Sequence, residues 1–374
     1  MKVLKQKPYF VITTVIFLLV SILWVQAGST NKLVDDRKIT ITRPADVAIK
    51  RQQLVRFIWG EAGFPAEKLP SEILIDVNSP IPDLNYLERA ETLIIKMDEG
   101  IDASACHFIP IEKNNRLVVV HQGHICALND GPDSGNSNVG LARTVDRLLS
   151  EGFAVLGLCM PRQRPEDCWH ANHDHMFDNF QASGSPIKYF LEPVAVSLNF
   201  LRNEYQYEEI SMIGISGGGW TTTLYAALDP DIRFSFPVAG SLPLYLRYPG
   251  YNHDKEQYLP AFYKIAGYPD LYLLGSHGPG RQQVQILIRR DNCCFGENQH
   301  NTELVGMPWE TSVRGYEFNV QAALRRLGSG SFFLYIDETT TRHEISENTI
   351  VNVVLPVIGG KLVPALISTN ELDK

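Results

Sequence analysis

Between Met212 and Thr222 the chain reads MIGISGGGWTT. Within it, Gly214-Ile215-Ser216-Gly217-Gly218 could do chemistry of two kinds. A glycine-rich turn between a strand and a helix can cradle a phosphate on free backbone N–H groups, or it can hold a nucleophile clear of a sheet. A Walker loop requires lysine after its last glycine, where Trp220 follows Gly219, and a dinucleotide fingerprint requires glycine where Ser216 stands. Phosphate cradling is disfavoured on both counts. The nucleophile reading needs an apolar strand before the turn and a helix after it, and Ile210 to Ile215 and Gly219 to Leu228 read as those elements. Gly214 and Gly218 let the two approach where a Cβ would collide. The helix behind Ser216 then turns its positive end and unpaired N–H groups toward the reacting atoms.

A serine hydroxyl is a weak nucleophile until a neutral imidazole takes its proton, and a carboxylate must hold that imidazole in the right tautomer. The stretches LVVVHQGH, IGISGGGWTTTLYAALDP and TRHEIS resemble the α/β-hydrolase superfamily, in particular bacterial esterase-type members related to dienelactone hydrolases and acetyl xylan esterases. The resemblance covers about Thr92 to the C-terminus. It implies the chain order serine, acid, histidine, each on a loop at the carboxyl end of a strand. Carried onto this chain, the acid is Asp291 in IRRDNCCF and the histidine is His343 in TRHEIS, while Glu297 and Asp337 also stand near strand ends and could reach the imidazole. The oxyanion of the tetrahedral intermediate needs backbone donors. One is expected from Gly217, and a second from Gln122, Gly123 or His124, where HQGH departs from the family's usual His-Gly order.

The stretch CWHANHDHMFDNF, Cys168 to Phe180, offers His170, His173 and His175 with Asp174 as a conceivable metal set. A nucleophile elbow needs no metal, and the interleaved Trp169, Phe177 and Phe180 suit a cap facing the substrate. The expectation is ordinary surface histidines, no metal and no cofactor, with Trp169, Phe177 and Trp220 as the aromatic substrate contacts.

Positioning these groups requires a scaffold. Eight short β-rich runs recur at Thr92–Met97, Ala105–Ile111, Leu117–His121, Phe153–Cys159, Ile210–Ile215, Phe234–Val238, Val284–Ile288 and Phe332–Ile336. Helical patterns fall at Pro44–Trp59, Leu141–Leu149, Ile187–Leu201, Gly219–Leu228 and Glu317–Leu327. Strands alternating with helices predict an α/β fold, here the α/β-hydrolase fold, with an eight-stranded, mostly parallel sheet covered by helices on both faces. The long intervals Pro161–Pro186 and Leu242–Arg281 read as lids or binding loops.

The net charge of −8 provides no footprint for nucleic acid or an anionic membrane surface. Lys2, Lys5 and Lys7 precede an apolar run from Phe10 to Val25, and Ala27 suits signal-peptidase cleavage. Residues 1–27 therefore read as a signal peptide or an N-terminal membrane anchor. Residues 28–89 read as a lead-in with one helix and 90–374 as the catalytic domain, exported to the periplasm or exterior or held at the inner membrane. Export permits disulfides among the six cysteines, with Cys159 and Cys168 near enough to staple one loop and Cys293 and Cys294 forming a strained ring if joined. The expected function is cleavage of a small-molecule carboxylic ester through an acyl-enzyme. A peptidase or amidase on the same fold, or a catalytically silent binding protein of the envelope, are the alternatives.

Overall fold

Runs such as Leu117–Val120 are apolar at every position, so they must bury both faces, and a sheet sandwiched between helices is the arrangement that does so. The computed structural model describes residues 33–75, 78–124, 128, 140–161, 171–247, 254–291, 293–297 and 303–361. Its strands are β1 (Glu72–Ile75), β2 (Leu87–Ile95), β3 (Ala103–Pro110), β4 (Arg116–His121), β5 (Ala154–Leu158), β6 (Glu209–Ile215), β7 (Ile232–Val238), β8 (Gln282–Ile288), the two-residue β9 (Glu303–Leu304) and β10 (Met307–Pro308), and β11 (Ser331–Asp337). β9 and β10 pair only with each other. The rest form one nine-stranded sheet in the order β1-β2-β3-β5-β4-β6-β7-β8-β11. It is parallel from β5 through β11 and antiparallel across β1, β2 and β3.

All eight expected runs are strands, and β1 is the ninth, a correction to the eight-stranded expectation. All four of its residues are exposed, so no alternation of buried and exposed positions marks EILI. Its antiparallel pairing with β2 makes it a strand.

The helix Trp309–Leu327 turns Trp309, Val313, Tyr316, Val320, Leu324 and Leu327 inward at helical spacing and ends at Gly328 in the left-handed region, φ 76°. A second helix, Tyr268–Ser276, lies in a stretch expected to be loop. Every one of its residues is buried, so it lacks the amphipathic period by which a surface helix is read.

The lead-in is laced into the body, and Val34 to Lys374 forms one compact unit. The Asp36 carboxylate accepts the backbone N–H groups of Leu244, Tyr245 and Tyr268 at 3.0–3.1 Å. Asp270 accepts the Thr40 N–H at 2.8 Å and its hydroxyl at 2.6 Å. From the helix Pro44–Trp59, Arg51 donates to the carbonyls of Ala227 and Leu274, each at 2.9 Å, near the C-terminal ends of two buried helices where a cation is favoured. The basic and apolar segment 1–27 lies outside the described residues. No helix among those described is long and apolar enough to cross a membrane.

Candidate active site

Ser216 stands at the N-cap of the helix Gly217–Leu228, immediately after β6, with φ 58° and ψ −124°. A non-glycine residue there is strained, and such strain persists only where the surroundings hold it. Here the Ser216 N–H donates to Val238 O at 2.9 Å, and Ser216 O accepts from the Trp220 N–H at 2.9 Å. The glycines make the turn possible. A Cβ on Gly214 would lie 2.2 Å from Gly218 O, and one on Gly218 would lie 2.2 Å from His121 O. Ser216 is partly exposed, whereas the whole helix behind it is buried.

Asp291 follows β8 and His343 follows β11, so both stand beyond the same edge of the parallel sheet as Ser216. His343 Nδ1 lies 2.9 Å from Asp291 Oδ2 and 3.1 Å from Oδ1, with both side chains buried. Cys293 N–H donates to Asp291 Oδ1 at 2.8 Å, fixing the carboxylate from its other side. The other two acids are engaged elsewhere. Glu297 pairs with Arg289 at 2.7 Å. Asp337 accepts the Thr339 N–H and hydroxyl and the hydroxyls of Ser346 and Thr349, which shapes the loop that carries His343. His343 Nε2 is buried and makes no hydrogen bond among the described residues, Ser216 included. Catalytic hydrogen bonds are commonly long in ligand-free enzymes. Cys293 and Cys294 are joined to each other, and their sulfurs lie within 4.8 Å of a His343 ring nitrogen. Cys126 and Cys168 are outside the described residues.

Of the expected oxyanion donors, Gly217 heads its helix, so its N–H has no intrahelical acceptor. The Gln122 N–H is already bound to Leu158 O at 2.8 Å. That corrects its candidacy, because the group completes the β4–β5 ladder. The Gly123 N–H meets the Gln122 side-chain oxygen at 2.9 Å. Gly123 itself lies against the nucleophile, since a Cβ there would be 2.8 Å from Ser216 Cβ and 3.4 Å from its Oγ. The His124 ring covers Gly217, whose added Cβ would be 2.8 Å from His124 Cε1. His121 is fully enclosed, and burial pushes its pKa down to about 4.

Among the cap residues, Trp169 and His170 lie outside the described residues. Phe177 is half-buried on the helix Ala171–Asn179, its ring 6.5 Å from that of Phe190. Trp220 is a correction. It is completely buried, and its indole N–H donates to the Tyr263 hydroxyl at 2.8 Å, so it packs beneath the elbow rather than facing substrate. His175 and Asp174 are exposed, as surface cap residues would be, but His173 is not. His173 Nδ1 lies 3.1 Å from Glu256 Oε1, and its ring is 4.8 Å from that of His124. His124 Nε2 in turn lies 3.0 Å from Asp254 Oδ2 and 3.4 Å from Glu256 Oε1. Burial works to lower the His124 pKa, but the hydrogen bonds and charge of Asp254 and Glu256 outweigh it and raise the group to about 9. Sequence reasoning missed this cluster because its members come from three distant segments.

No protein-family profile matches the chain, and no curated protein matches it. Among solved structures, acetyl xylan esterase 1 from a Thermoanaerobacterium species is similar with a TM-score of 0.50 and 14% identity, over 86% of this chain and 95% of that one. An acetyl xylan esterase from a Paenibacillus species follows at 0.48 and 12%, over 89% and 98%. Est1E from Butyrivibrio proteoclasticus gives 0.43 and 17%, over 72% and 96%. At such identities the likeness is one of fold, and the fold is that of the α/β-hydrolases.

Proposed function

We propose that the protein is a serine hydrolase that cleaves a carboxylic ester of a small molecule. The observation that carries this reading is Ser216 held at a strained elbow, φ 58°, on the sheet edge where Asp291 and His343 are hydrogen-bonded at 2.9 Å. His343 Nδ1 donates to the Asp291 carboxylate, which leaves Nε2 as the acceptor for the Ser216 proton. As the proton leaves, Ser216 Oγ bonds to the carbonyl carbon, and the developing oxyanion takes the Gly217 N–H with a second donor from the turn after β4, either the His124 N–H or the Gly123 N–H once the Gln122 side chain releases it. The imidazolium then returns its proton to the alkoxide leaving group as the carbon–oxygen bond breaks. Water, deprotonated by the same imidazole, attacks the acyl carbon, and the imidazolium returns that proton to Ser216 Oγ as the acyl–oxygen bond breaks and the acid is released. The same groups could attack an amide, and the resemblance of fold sets no acyl or leaving group.

The test is covalent labelling with a fluorophosphonate probe, followed by p-nitrophenyl esters of graded acyl length run beside peptide amides. The wild type should be labelled and should turn over the esters preferentially. Ser216→Ala should lose labelling and several powers of ten in turnover, as removal of one member of such a unit does. Labelling that persists unchanged in Ser216→Ala would refute the assignment. Preference for the amides would make the protein a peptidase or amidase instead.

A further inference from the structure

His124, His173, Asp254 and Glu256 each offer a ligand atom, and those atoms all lie within 4.8 Å of one another. The residues come from the turn after β4, from the helix Ala171–Asn179 and from the interval between β7 and β8, so only the tertiary fold assembles them. All four side chains are buried, at 6%, 6%, 7% and 0% relative exposure. Burying two carboxylates this close is costly unless cations compensate them. Lys255, the neighbour of Glu256, does not do so, since its ammonium pairs outward with Asp178, which leaves the two imidazoles, protonated or metal-bound, as the groups that compensate them. Two imidazole nitrogens converge on the same Glu256 oxygen, at 3.1 and 3.4 Å, while the other, Oε2, is buried without a hydrogen-bond partner among the described residues.

These separations have the size expected of a coordination shell. Zinc binds imidazole nitrogen and carboxylate oxygen at about 2.0–2.2 Å, so neighbouring ligands in a tetrahedral site stand about 3.3 Å apart. Three of the six edges, 3.0, 3.1 and 3.4 Å, bracket that value, and the other three lie within 4.8 Å. Two imidazoles with two carboxylates suit zinc better than the harder calcium or magnesium, which prefer all-oxygen sites.

We propose that His124, His173, Asp254 and Glu256 bind one divalent transition-metal ion, with zinc favoured by the donor set, in a closed structural site. The ion fastens the Ala171–Asn179 helix and the 254–256 turn to the segment beside Ser216, because the His124 ring lies directly over Gly217. It stands outside the ester chemistry and does not depend on the reaction assigned to Ser216.

The test uses the full chain without a histidine tag. Elemental analysis of protein purified without chelator should find about one zinc per chain, the count a four-ligand site holds. Chelator treatment should lower the melting temperature, and zinc, but not calcium, should restore it. Cobalt substitution should produce the visible absorption of a low-symmetry four-coordinate site. His173→Gln and Glu256→Gln should each lose the metal, the zinc-dependent rise in melting temperature and the cobalt bands, whereas His175→Gln, exposed on the same helix, should keep all three. If Glu256→Gln does not fold, His173→Gln carries the comparison. Protein that holds no zinc and gains no stability from it overturns the proposal, as does metal binding unchanged in His173→Gln. In either case the cluster is a buried ion-pair network.

Discussion

At the scale of single residues, the acid is the member of the proposed triad with the most competitors. Asp291 lies against His343, Glu297 pairs with Arg289, and Asp337 organises the loop below the imidazole. Asp291→Asn should therefore keep the fold and lose on the order of 10⁴ in turnover, by analogy with the serine-protease triad, where the amide imposes the wrong tautomer. Glu297→Gln should stay within a few-fold of wild type. Asp337→Asn should lower the melting temperature first and activity with it, because it weakens the hydrogen bonds that shape the His343 loop. Turnover and melting temperature of the three purified variants decide it, and near-normal turnover in Asp291→Asn beside collapse in Glu297→Gln would move the acid role. His121 supplies a pH dependence. Its folded pKa of about 4 lies below the ordinary value of about 6.5, so the unfolded chain takes up the proton first. Stability is then full above about pH 6.5 and falls toward pH 4, by roughly 3 kcal/mol at 1.36 kcal/mol per unit. In denaturant titrations the gap between wild type and His121→Asn should narrow as the pH drops across that window. A gap that stays constant counts against a buried neutral imidazole.

At the scale of elements, the elbow depends on β6 and its helix approaching more closely than side chains allow. A Cβ on Gly214 would meet Gly218 O at 2.2 Å, and since the Cβ is fixed directly to the backbone and the oxygen belongs to it, neither can swing aside. Gly214→Ala should destabilise by at least the roughly 1–3 kcal/mol of an overpacked core, and the folded fraction should label slowly because Ser216 is displaced. Gly315 provides the contrast. It lies in the helix Trp309–Leu327 with nothing within 4 Å of an added Cβ, so Gly315→Ala should be neutral or stabilise by up to about 1 kcal/mol. Thermal melts of the pair, with probe-labelling rates, test whether closeness at the elbow or glycine content as such matters.

At the scale of the whole molecule, the lead-in determines where the folding unit begins. Ile41, Leu54 and Ile58 are completely buried, and Asp36, Thr40 and Arg51 satisfy backbone groups or a carboxylate of the body. A chain beginning at Val34 should melt cooperatively like the full protein. One beginning at Gly60 should be insoluble or lack a cooperative melt, because it leaves buried backbone donors and acceptors without partners. Circular dichroism of both truncations checks this, and a cooperative native-like melt in the shorter one would show that the lead-in is dispensable.

The sequence by itself determined the features that rest on local periodicity and local sterics: the eight apolar strands, the helices that carry an amphipathic stripe, and the turn around Ser216 with the buried helix it opens, where glycine spacing reports backbone closeness directly. Exposed β1 and the wholly buried helix Tyr268–Ser276 escaped because neither carries a periodic contrast between inside and outside. Only the tertiary structure decided that His343 meets Asp291 rather than Glu297 or Asp337, that the Gln122 N–H is consumed by the sheet, that Trp220 points into the core, and that His173 meets His124, Asp254 and Glu256. Each of these is a contact between residues far apart along the chain. Its existence depends on where the parallel sheet carries its loops, and no spacing within a single segment contains that information.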